Sequence, residues 1–374
     1  MTKDFPATLL PEGEDRAFVQ DLVYTVIRRL RPLRRILGAL VRKWPKGELE
    51  ALLYVGAAQV LYMPEVPDFA AVNETVDAAK ACGNPSIARV VNGVLRNLVR
   101  RREEMEALVA SAPVEERESY PSALYRRWAA RFGSENAERL AIWHNQPAET
   151  FLAYPDGAYV KLARGTKVAD VKGFSEGAFI VQNPATRLAV DSMDAHAGLD
   201  VLDLCAAPGG KTVQLAWRGA KVTACEVNPR RRRTLAENLK RVGLEGGVEV
   251  VESVEALKGR AFDRVLVDAP CSNTGVLRRR PDARWNWTEE KLASLVKLQG
   301  EILDRAAELV KPGGLLVYST CSNELEENEG QAAAFLARHP EFEKVAAGEA
   351  RPFEASGDAG EDGAYAATLR RKTA

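Results

Sequence analysis

Apolar residues recur at every third or fourth position through the N-terminal part of the chain. The spacing runs through DRAFVQDLVYTVIRRLRPLRRILGALV, GELEALLYVGAAQVLYM, AAVNETVDAAKAC and IARVVNGVLRNLVRR. It places apolar side chains on one face of a helix. Pro64, Pro67 and the Gly83-Asn84-Pro85 turn separate the last three segments. The pattern predicts a helical bundle over residues 14 to about 110.

The next part of the chain combines helical and extended patterns. A shorter helical stretch is predicted from Ser122 to His144, with Trp128 and Trp143 packed inside. Between residues 150 and 195, apolar runs alternate with turn residues in FLAYPDGAYVKLA and GAFIVQNPATRLAV. Such runs predict short strands.

Strand and helix patterns alternate after residue 199. LDVLDLC, KVTACEV, VEVVES, DRVLVDAP and GGLLVYSTC are almost continuously apolar, which is typical of parallel strands buried on both faces. GGKTVQLAWRG and PRRRRTLAENLKRVG have helical patterns between them. We therefore expect a mostly parallel sheet with helices on both sides. The tail segments FEKVAAG and AYAATLRR predict an antiparallel hairpin at one edge.

The length of 374 residues exceeds what one ordinary core accommodates. We predict three parts: an all-α domain over residues 1–120, a small α+β linker subdomain over 121–195, and an α/β Rossmann-like domain over 196–374. The N-terminus lacks a signal-peptide pattern, and no apolar run approaches the roughly 20 residues that span a bilayer. We therefore expect a cytoplasmic protein that does not bind membranes.

Charge is balanced overall, with 52 basic and 52 acidic residues, but it is unevenly distributed. Arginines are concentrated in Arg28 to Arg35, Arg96 to Arg102, Arg230 to Arg233 and Arg278 to Arg280. Local basic stripes bind a polyanion even when net charge is zero. For Arg28 to Arg35 the alternatives are RNA docking and a solvated helix face.

A ten-residue loop follows the first strand of the α/β domain, Asp203 to Thr212, with the sequence DLCAAPGGKT. Its small residues allow a nucleoside to approach the backbone, and the start of the following helix offers free N–H groups. Glu226 ends the next strand, where a carboxylate accepts hydrogen bonds from ribose hydroxyls. The alternatives are a tight turn at Gly209-Gly210 and a nicotinamide site. The absence of GxGxxG disfavours the latter.

Two further loops carry thiols. Asp268 to Gly275 follows the fourth strand and contains Cys271, and Ser319 to Ser322 follows the fifth and contains Cys321. Because carboxyl ends of parallel strands meet at one edge, we expect both thiols and Asp268 beside the cofactor loop. The alternative is that both cysteines are small buried hydrophobes.

The remaining cysteines, Cys82, Cys205 and Cys225, lie in apolar surroundings and are interpreted as packing residues. Five cysteines without a CxxC pair predict neither a disulfide framework nor a zinc site.

Several long motifs resemble the NOL1/NOP2/Sun family of RNA 5-methylcytosine methyltransferases, in particular its RsmB-like bacterial branch that acts on small-subunit rRNA. The motifs are DLCAAPGGKT, DAPCSNTGVLRRRPDARW, YSTCSNELEENE and DGAYAATLRR, in the family's order, and the likeness covers about residues 125 to 370. AVNETVDAAK and VNGVLRNLVRR resemble the NusB-type helical RNA-binding domain of that branch.

The resemblance implies a class I methyltransferase fold with a seven-stranded sheet, S-adenosylmethionine as cofactor, and rRNA as substrate. It implies that Cys321 is the nucleophile, that Cys271 assists product release, that Asp268 contacts the cytosine, and that Lys211 orients Asp268 or the cofactor. No metal is expected, and we expect a monomer. The implied cofactor-binding residues are Cys205, Ala206, Ala207, Pro208, Gly209, Gly210, Lys211, Glu226 and Asp268.

Two positions depart from the family pattern. The family has an acidic residue after the third strand, near the adenine, whereas this chain reads Val251-Glu252-Ser253-Val254. Glu252 is the candidate substitute, and the alternative is that this contact is missing. Asn273 occupies a position where a small residue is commoner.

Alternatives remain open for the substrate side. Arg278, Arg279, Arg280 and Arg284, with Trp285 and Trp287, form either an RNA contact or a loop packed by its tryptophans. Arg278 to Arg280 are candidates for lowering the pKa of a catalytic thiol. Rival functions are a transfer RNA cytosine methyltransferase, a non-catalytic RNA-binding assembly factor and a nicotinamide oxidoreductase. The two cysteines argue against the assembly factor.

Overall fold

A computed structural model describes residues 13, 15–82, 85–354 and 360–373. Gly83 and Asn84 of the predicted turn lie outside the described residues. By contacts, the chain divides into two units. The first comprises the described residues up to Gln146 and the segment Arg280–Asn286, and the second comprises Pro147–Arg279 and the chain from Trp287 onward. The three-part division at residues 120 and 195 stays a prediction.

The first unit is helical, as predicted. Across the described residues, no helix in either unit is both long and apolar enough to cross a membrane. The helices of the first unit are α1 (Arg16–Arg28), α2 (Leu30–Leu40), α3 (Glu48–Tyr62), α4 (Asp68–Ala81), α5 (Pro85–Arg100), α6 (Arg102–Ala110), α7 (Val114–Arg117), α8 (Ser122–Phe132), α9 (Ser134–Asn145) and, further along the chain, α13 (Ala283–Asn286).

The first apolar segment forms two helices rather than one. Arg29 separates α1 from α2 with φ −110° and ψ 22°. Pro32 explains the break, because a proline lacks the N–H that an uninterrupted helix would bond to the carbonyl of Arg28. Leu33, Ile36 and Leu37 then face the core and are at most 1% exposed.

The arginines of the first basic stripe form ion pairs within the first unit. Arg29 Nη1 lies 3.3 Å from Glu118 Oε2. Arg31 and Arg35 both pair with Glu116, at 3.3 and 2.9 Å. These carboxylates offset the positive charge that the sequence suggested for RNA docking, so the structure favours a structural interpretation of these three arginines.

The segment Arg280–Asn286 is also held by side chains of the first unit. Arg284 is fully buried, and its Nη1 donates to Asn145 Oδ1 at 2.9 Å and to the carbonyl of Ser119 at 3.2 Å. Its guanidinium lies 4.2 Å from the centre of the Tyr120 ring. Trp285 Nε1 donates to the carbonyl of Ile27 at 2.9 Å. For Arg284, the structure therefore favours the alternative of a packed loop over an RNA contact, because the side chain is buried in protein.

The second unit begins with a three-stranded antiparallel sheet in the order β2-β1-β3. Its strands are β1 (Phe151–Ala153), β2 (Tyr159–Lys161) and β3 (Ile180–Val181). The predicted extended run ends there, because α10 (Arg187–Ser192) is a helix. Asn183 Oδ1 accepts from Ala185 N at 3.0 Å, with Pro184 at the first helical position. This capping starts a helical turn where extended structure was predicted.

The main sheet has seven strands, as the family resemblance implied. Their order is β6-β5-β4-β7-β8-β10-β9. The first five are parallel, and the predicted terminal hairpin adds β10 and β9 in antiparallel orientation. The strands are β4 (Asp200–Leu204), β5 (Lys221–Cys225), β6 (Val248–Val251), β7 (Phe262–Asp268), β8 (Val310–Thr320), β9 (Phe342–Ala350) and β10 (Ala364–Arg371).

Helices accompany the strands and cover both faces of the main sheet. They are α11 (Gly210–Trp217), α12 (Pro229–Arg241), α14 (Glu289–Glu308) and α15 (Glu329–Arg338). Strand β7 shows why its sequence is almost continuously apolar. Val265 and Val267 belong to one buried cluster and Leu266 to the other, so successive side chains enter different cores.

We expect the substitution Arg284→Ala to lower the free energy of unfolding by about 3 kcal/mol. The substitution removes the buried guanidinium together with its hydrogen bonds, and the carbonyl oxygens that accepted them are left without a donor. Urea denaturation of both proteins measures the difference. Arg89→Ala, at an exposed position of α5, is the control and should change stability by less than about 0.5 kcal/mol. An Arg284→Ala protein as stable as the wild type would contradict the structural role.

Candidate active site

The loop after β4 turns sharply toward α11. Cys205 has φ 62° and Gly209 has φ 106°, in the left-handed region that glycine tolerates best. A Cβ at Gly209 would lie 2.7 Å from Leu235 Cδ1 on α12. The glycine is therefore required by both the turn and the close approach of α12.

Side chains of α12 fix the carbonyl groups of this loop. Arg231 Nη2 donates to the carbonyl of Ala207 at 2.8 Å, and Asn238 Nδ2 donates to the carbonyl of Pro208 at 2.8 Å. Ala206 and Ala207 are both 6% exposed. The loop is thus held rigidly, with its backbone shaped before any ligand binds.

Glu226, directly after β5, presents a carboxylate oxygen that is not fully engaged. The residue is 2% exposed, and its Oε1 accepts from the backbone N of Asn228 at 2.9 Å. Within the described part of the chain, Oε2 has no hydrogen-bond partner, although Arg231 Nε lies 3.5 Å away. A buried acceptor of this kind is suited to a ligand hydroxyl.

A cavity of about 290 Å³ opens beside Glu226. It contains the predicted cofactor-loop residue Cys205 and has apolar walls that suit a purine ring. Its lining residues are Leu204, Cys205, Cys225, Glu226, Val227, Arg231, Val254, Pro270, Leu298, Glu301, Ile302 and Arg305.

Glu252 does not line this cavity. Its side chain is 75% exposed and lies 3.2 Å from Arg232. Val254, two residues further on, and Glu301 of α14 line the cavity instead. The structure therefore brings Cys205 and Glu226 together and places Glu252 on the surface.

Asp203 is a buried carboxyl at the end of β4 that the sequence interpretation did not single out. It is 1% exposed, and its Oδ2 accepts from Thr212 Oγ1 at 2.6 Å. Burial raises the pKa of Asp203 to about 7, although the bond from Thr212 acts in the opposite sense. The DLC motif held the only sequence signal, since an acidic residue inside an apolar strand needs a partner.

Lys211 and Asp268 form a close ion pair. Lys211 Nζ donates to Asp268 Oδ2 at 2.6 Å. Burial lowers the pKa of Lys211, but the carboxylate of Asp268 outweighs it and the net shift is upward. The pair places the ammonium group of Lys211, at the start of α11, beside the carboxylate of Asp268, at the end of β7.

The structure brings Cys271 and Cys321 together, with their sulfur atoms 3.3 Å apart. Asn273 contacts both loops, because its Nδ2 donates to the carbonyl of Cys271 at 2.8 Å and its Oδ1 accepts from Cys321 Sγ at 3.3 Å. Its φ is 59°, a conformation that asparagine adopts more readily than most residues. The departure at this position thus has a structural role.

The two thiols have different surroundings. Cys271 is 8% exposed, and its hydrogen bond to Cys321, together with burial, raises its pKa well above the ordinary value. Cys321 is more exposed, and its electrostatic interaction with Lys211 helps to raise the pKa of that lysine.

The expectation that Arg278 and Arg279 activate a thiol is wrong, because both are engaged elsewhere. Arg278 Nε donates to the carbonyl of Pro147 at 2.9 Å, and Arg279 Nε lies 2.5 Å from the buried Asp362. Lys211 provides the positive charge at Cys321 instead. These two arginines stabilise the second unit.

The other three cysteines differ in exposure. Cys225 is buried, as expected for packing, Cys205 is half-buried and lines the cavity, and Cys82 is exposed and so is not a packing residue. Among the described residues, no group of three or more His, Cys, Asp or Glu side chains is arranged to hold a metal ion.

Comparison with known proteins gives two family matches. A model described as 16S rRNA methyltransferase RsmB/F matches residues 190–367. A model of the NusB family matches residues 5–100.

Individual proteins give a consistent result. The chain is 35% identical over 369 residues to "Ribosomal RNA small subunit methyltransferase B" of Klebsiella pneumoniae (strain 342), covering 90% of this chain and 84% of that protein. It is 34% identical over 395 residues to the protein of the same name from Vibrio cholerae serotype O1, covering 96% and 90%. Its fold is similar to the crystal structure of PH0851, with a TM-score of 0.77 and 24% identity over 96% of this chain and 90% of that chain.

We expect the substitution Asp203→Asn to change how stability depends on pH. The folded pKa of Asp203 is about 7 and the unfolded value is about 3.9, so between them the folded state keeps a proton that the unfolded state loses. Wild-type stability therefore falls by up to about 4 kcal/mol from pH 4 to pH 7, and this loss is absent from the variant.

Urea titrations of both proteins between pH 4 and pH 8 test this. The control is Asp156→Asn, on an exposed turn, whose difference from the wild type should not vary with pH. A constant difference between Asp203→Asn and the wild type would show that Asp203 does not titrate in this range.

Proposed function

Because the chain belongs to the RsmB/F family of 16S rRNA methyltransferases, which depend on S-adenosylmethionine, we propose that it methylates C5 of a cytosine in small-subunit rRNA. In this proposal Cys321 forms a transient bond to C6 of the base. The observation that carries it is the 3.3 Å approach of Cys271 and Cys321, beside the ion pair of Lys211 and Asp268. Addition to a pyrimidine ring needs one nucleophilic thiol, and a second thiol beside it is suited to assist release of the product.

The residues present fit the cofactor. The available Oε2 of Glu226 suits a ribose hydroxyl, the apolar walls of the cavity suit an adenine ring, and the backbone of Cys205 to Gly210 suits the methionine part. When bound, S-adenosylmethionine supplies an electrophilic methyl group. The target cytosine must be unstacked from the RNA, so that one face of its ring is accessible.

A thiol is needed because C5 of cytosine is a poor nucleophile. The thiolate of Cys321 adds to C6, and the resulting enamine lets C5 accept the methyl group. Negative charge that develops on the ring requires a proton or hydrogen bond at N3, and the Lys211–Asp268 pair is placed to provide it.

Product release reverses the addition. The C5 proton leaves to a base, the C5–C6 double bond reforms, and the bond between C6 and Cys321 breaks. The raised pKa of Cys271 keeps it as a thiol, so it donates a hydrogen bond to the departing sulfur. The asymmetry of the two thiols thus matches two separate tasks.

We expect Cys321→Ala to lower methylation at least about 10³-fold, because the variant has no nucleophile, while binding of S-adenosylhomocysteine stays within about twofold of wild type. Bisulfite sequencing of RNA from cells that lack the protein, complemented with wild type or variant, locates the product. Methylation restored at a small-subunit rRNA cytosine by the wild type alone supports the proposal. Loss confined to transfer RNA would identify the substrate as tRNA, and full activity of the variant would exclude Cys321 as nucleophile.

We expect Cys271→Ala to accumulate a covalent complex between protein and RNA. The first bond still forms at Cys321, but the departing sulfur lacks its hydrogen-bond donor. A slow-migrating band in denaturing gels should appear with RNA and S-adenosylmethionine together and disappear in the double variant that also carries Cys321→Ala. Normal turnover without such a band would leave Cys271 with a packing role only.

A further inference from the structure

Glu327 is a fully buried acidic residue between β8 and α15. Its carboxylate accepts four hydrogen bonds. Oε1 accepts from the backbone N of Ser272 at 2.9 Å and from Gln299 Nε2 at 3.0 Å. Oε2 accepts from the hydroxyls of Ser272 and Ser322, each at 2.5 Å. Four hydrogen-bond donors hold the carboxylate of Glu327 in one orientation.

Each serine that Glu327 binds lies next to a catalytic cysteine in the sequence. Ser272 follows Cys271 and Ser322 follows Cys321. The carboxylate is therefore a direct link between the two thiol-bearing loops. Hydrogen bonds from both loops to one buried carboxylate hold the loops in one arrangement.

Gln299 of α14 extends this link to the other side of Cys271. Its Nε2 donates to the carbonyl of Pro270 at 2.9 Å as well as to Glu327. The residues before and after Cys271 are thus both held. Glu327 is also fixed itself, because its carbonyl accepts from Tyr318 OH at 2.6 Å.

Glu327 also acts on Cys271 through charge. Its carboxylate is one of the groups that raise the pKa of Cys271, after the hydrogen bond to Cys321 and burial. Tyr318 on β8 also interacts with Cys271. On the side of Cys321, Lys211 and its partner Asp268 are the facing charges.

Resting on the proposed cytosine methylation, we propose that Glu327 is a positioning residue that, through Ser272 and Ser322, sets the spacing of the two cysteine loops so that Cys321 alone is the nucleophile. Glu327 touches neither sulfur through a hydrogen bond that the structure describes. It acts through Ser272, Ser322 and its charge.

The variant Glu327→Gln separates charge from geometry. A glutamine has the same shape, its amide oxygen can accept from Ser272 N and Gln299, and its amide nitrogen can donate to the two serine hydroxyls. The network is retained while the negative charge is lost. Glu327→Asp does the opposite, because it keeps the charge but shortens the side chain.

The test is alkylation of the full-length protein by iodoacetamide at pH 8, with Cys271 and Cys321 quantified separately by mass spectrometry. In wild type we expect labelling mainly at Cys321. In Glu327→Gln the ratio of Cys271 to Cys321 labelling should rise about tenfold, because the thiolate fraction of Cys271 increases. In Glu327→Asp this ratio should stay within about twofold of wild type. A purely structural role would not give this contrast.

Single-turnover methylation provides the second measurement. Both variants should lower the rate about tenfold or more, with unchanged affinity for S-adenosylhomocysteine and RNA. Glu326→Gln is the control, because it removes an adjacent but exposed acidic charge, and it should leave the rate and the labelling ratio unchanged.

Labelling ratios that are equal in wild type and Glu327→Gln would overturn the proposal, as would equal effects of Glu326→Gln and Glu327→Gln. Should Glu327→Gln fail to fold, wild-type turnover by Glu327→Asp would also overturn it. A wild-type protein that methylates no RNA would refute the proposed function instead. The alkylation result does not depend on RNA, so the two failures are distinguishable.

Discussion

Parallel pairing of the central strands is the constraint on which the site depends. In register, Leu204 of β4 lies opposite Val267 of β7, and Asp268 lies opposite Ser319 of β8. The loops that follow the adjacent strands β4, β7 and β8 therefore begin at the same edge of the sheet. These loops carry the cofactor motif, and the carboxylate of Asp268 and the two thiols lie at the same edge. A slip of one residue would move every side chain of a strand to the opposite face. The apolar cores on both faces prevent such a slip, so packing far from the edge fixes the chemistry at it.

Acidic groups at this edge lie in a poorly solvated environment. Asp203, Asp268 and Glu327 contribute three carboxyls, and Lys211 pairs with Asp268. Each carboxyl is accommodated in a different way. Asp203 has a raised pKa, Asp268 has an ammonium partner, and Glu327 has four hydrogen-bond donors. Such differences allow neighbouring groups of one type to perform different tasks.

The sequence was sufficient for the parts of the structure that depend on local pattern. Helical spacing predicted the first unit, apolar runs predicted the parallel strands, and motif position predicted that Cys271 and Cys321 meet. It failed where a side chain's partner is distant in the chain. The sequence left Arg284 open between an RNA contact and a packed loop, because its hydrogen-bond partners Ser119 and Asn145 lie more than a hundred positions earlier. Glu327 was one acid in an acidic cluster, and only the fold shows that it binds the loop of Cys271.

The two paired thiols show most clearly why proximity alone does not define a mechanism. At 3.3 Å they are equivalent by distance, and either sulfur could in principle attack a base. Their environments break the equivalence, because Cys271 is buried beside an acidic group while Cys321 faces Lys211. In the proposed mechanism, the roles of the two cysteines are therefore set by the surrounding loops rather than by the cysteines themselves.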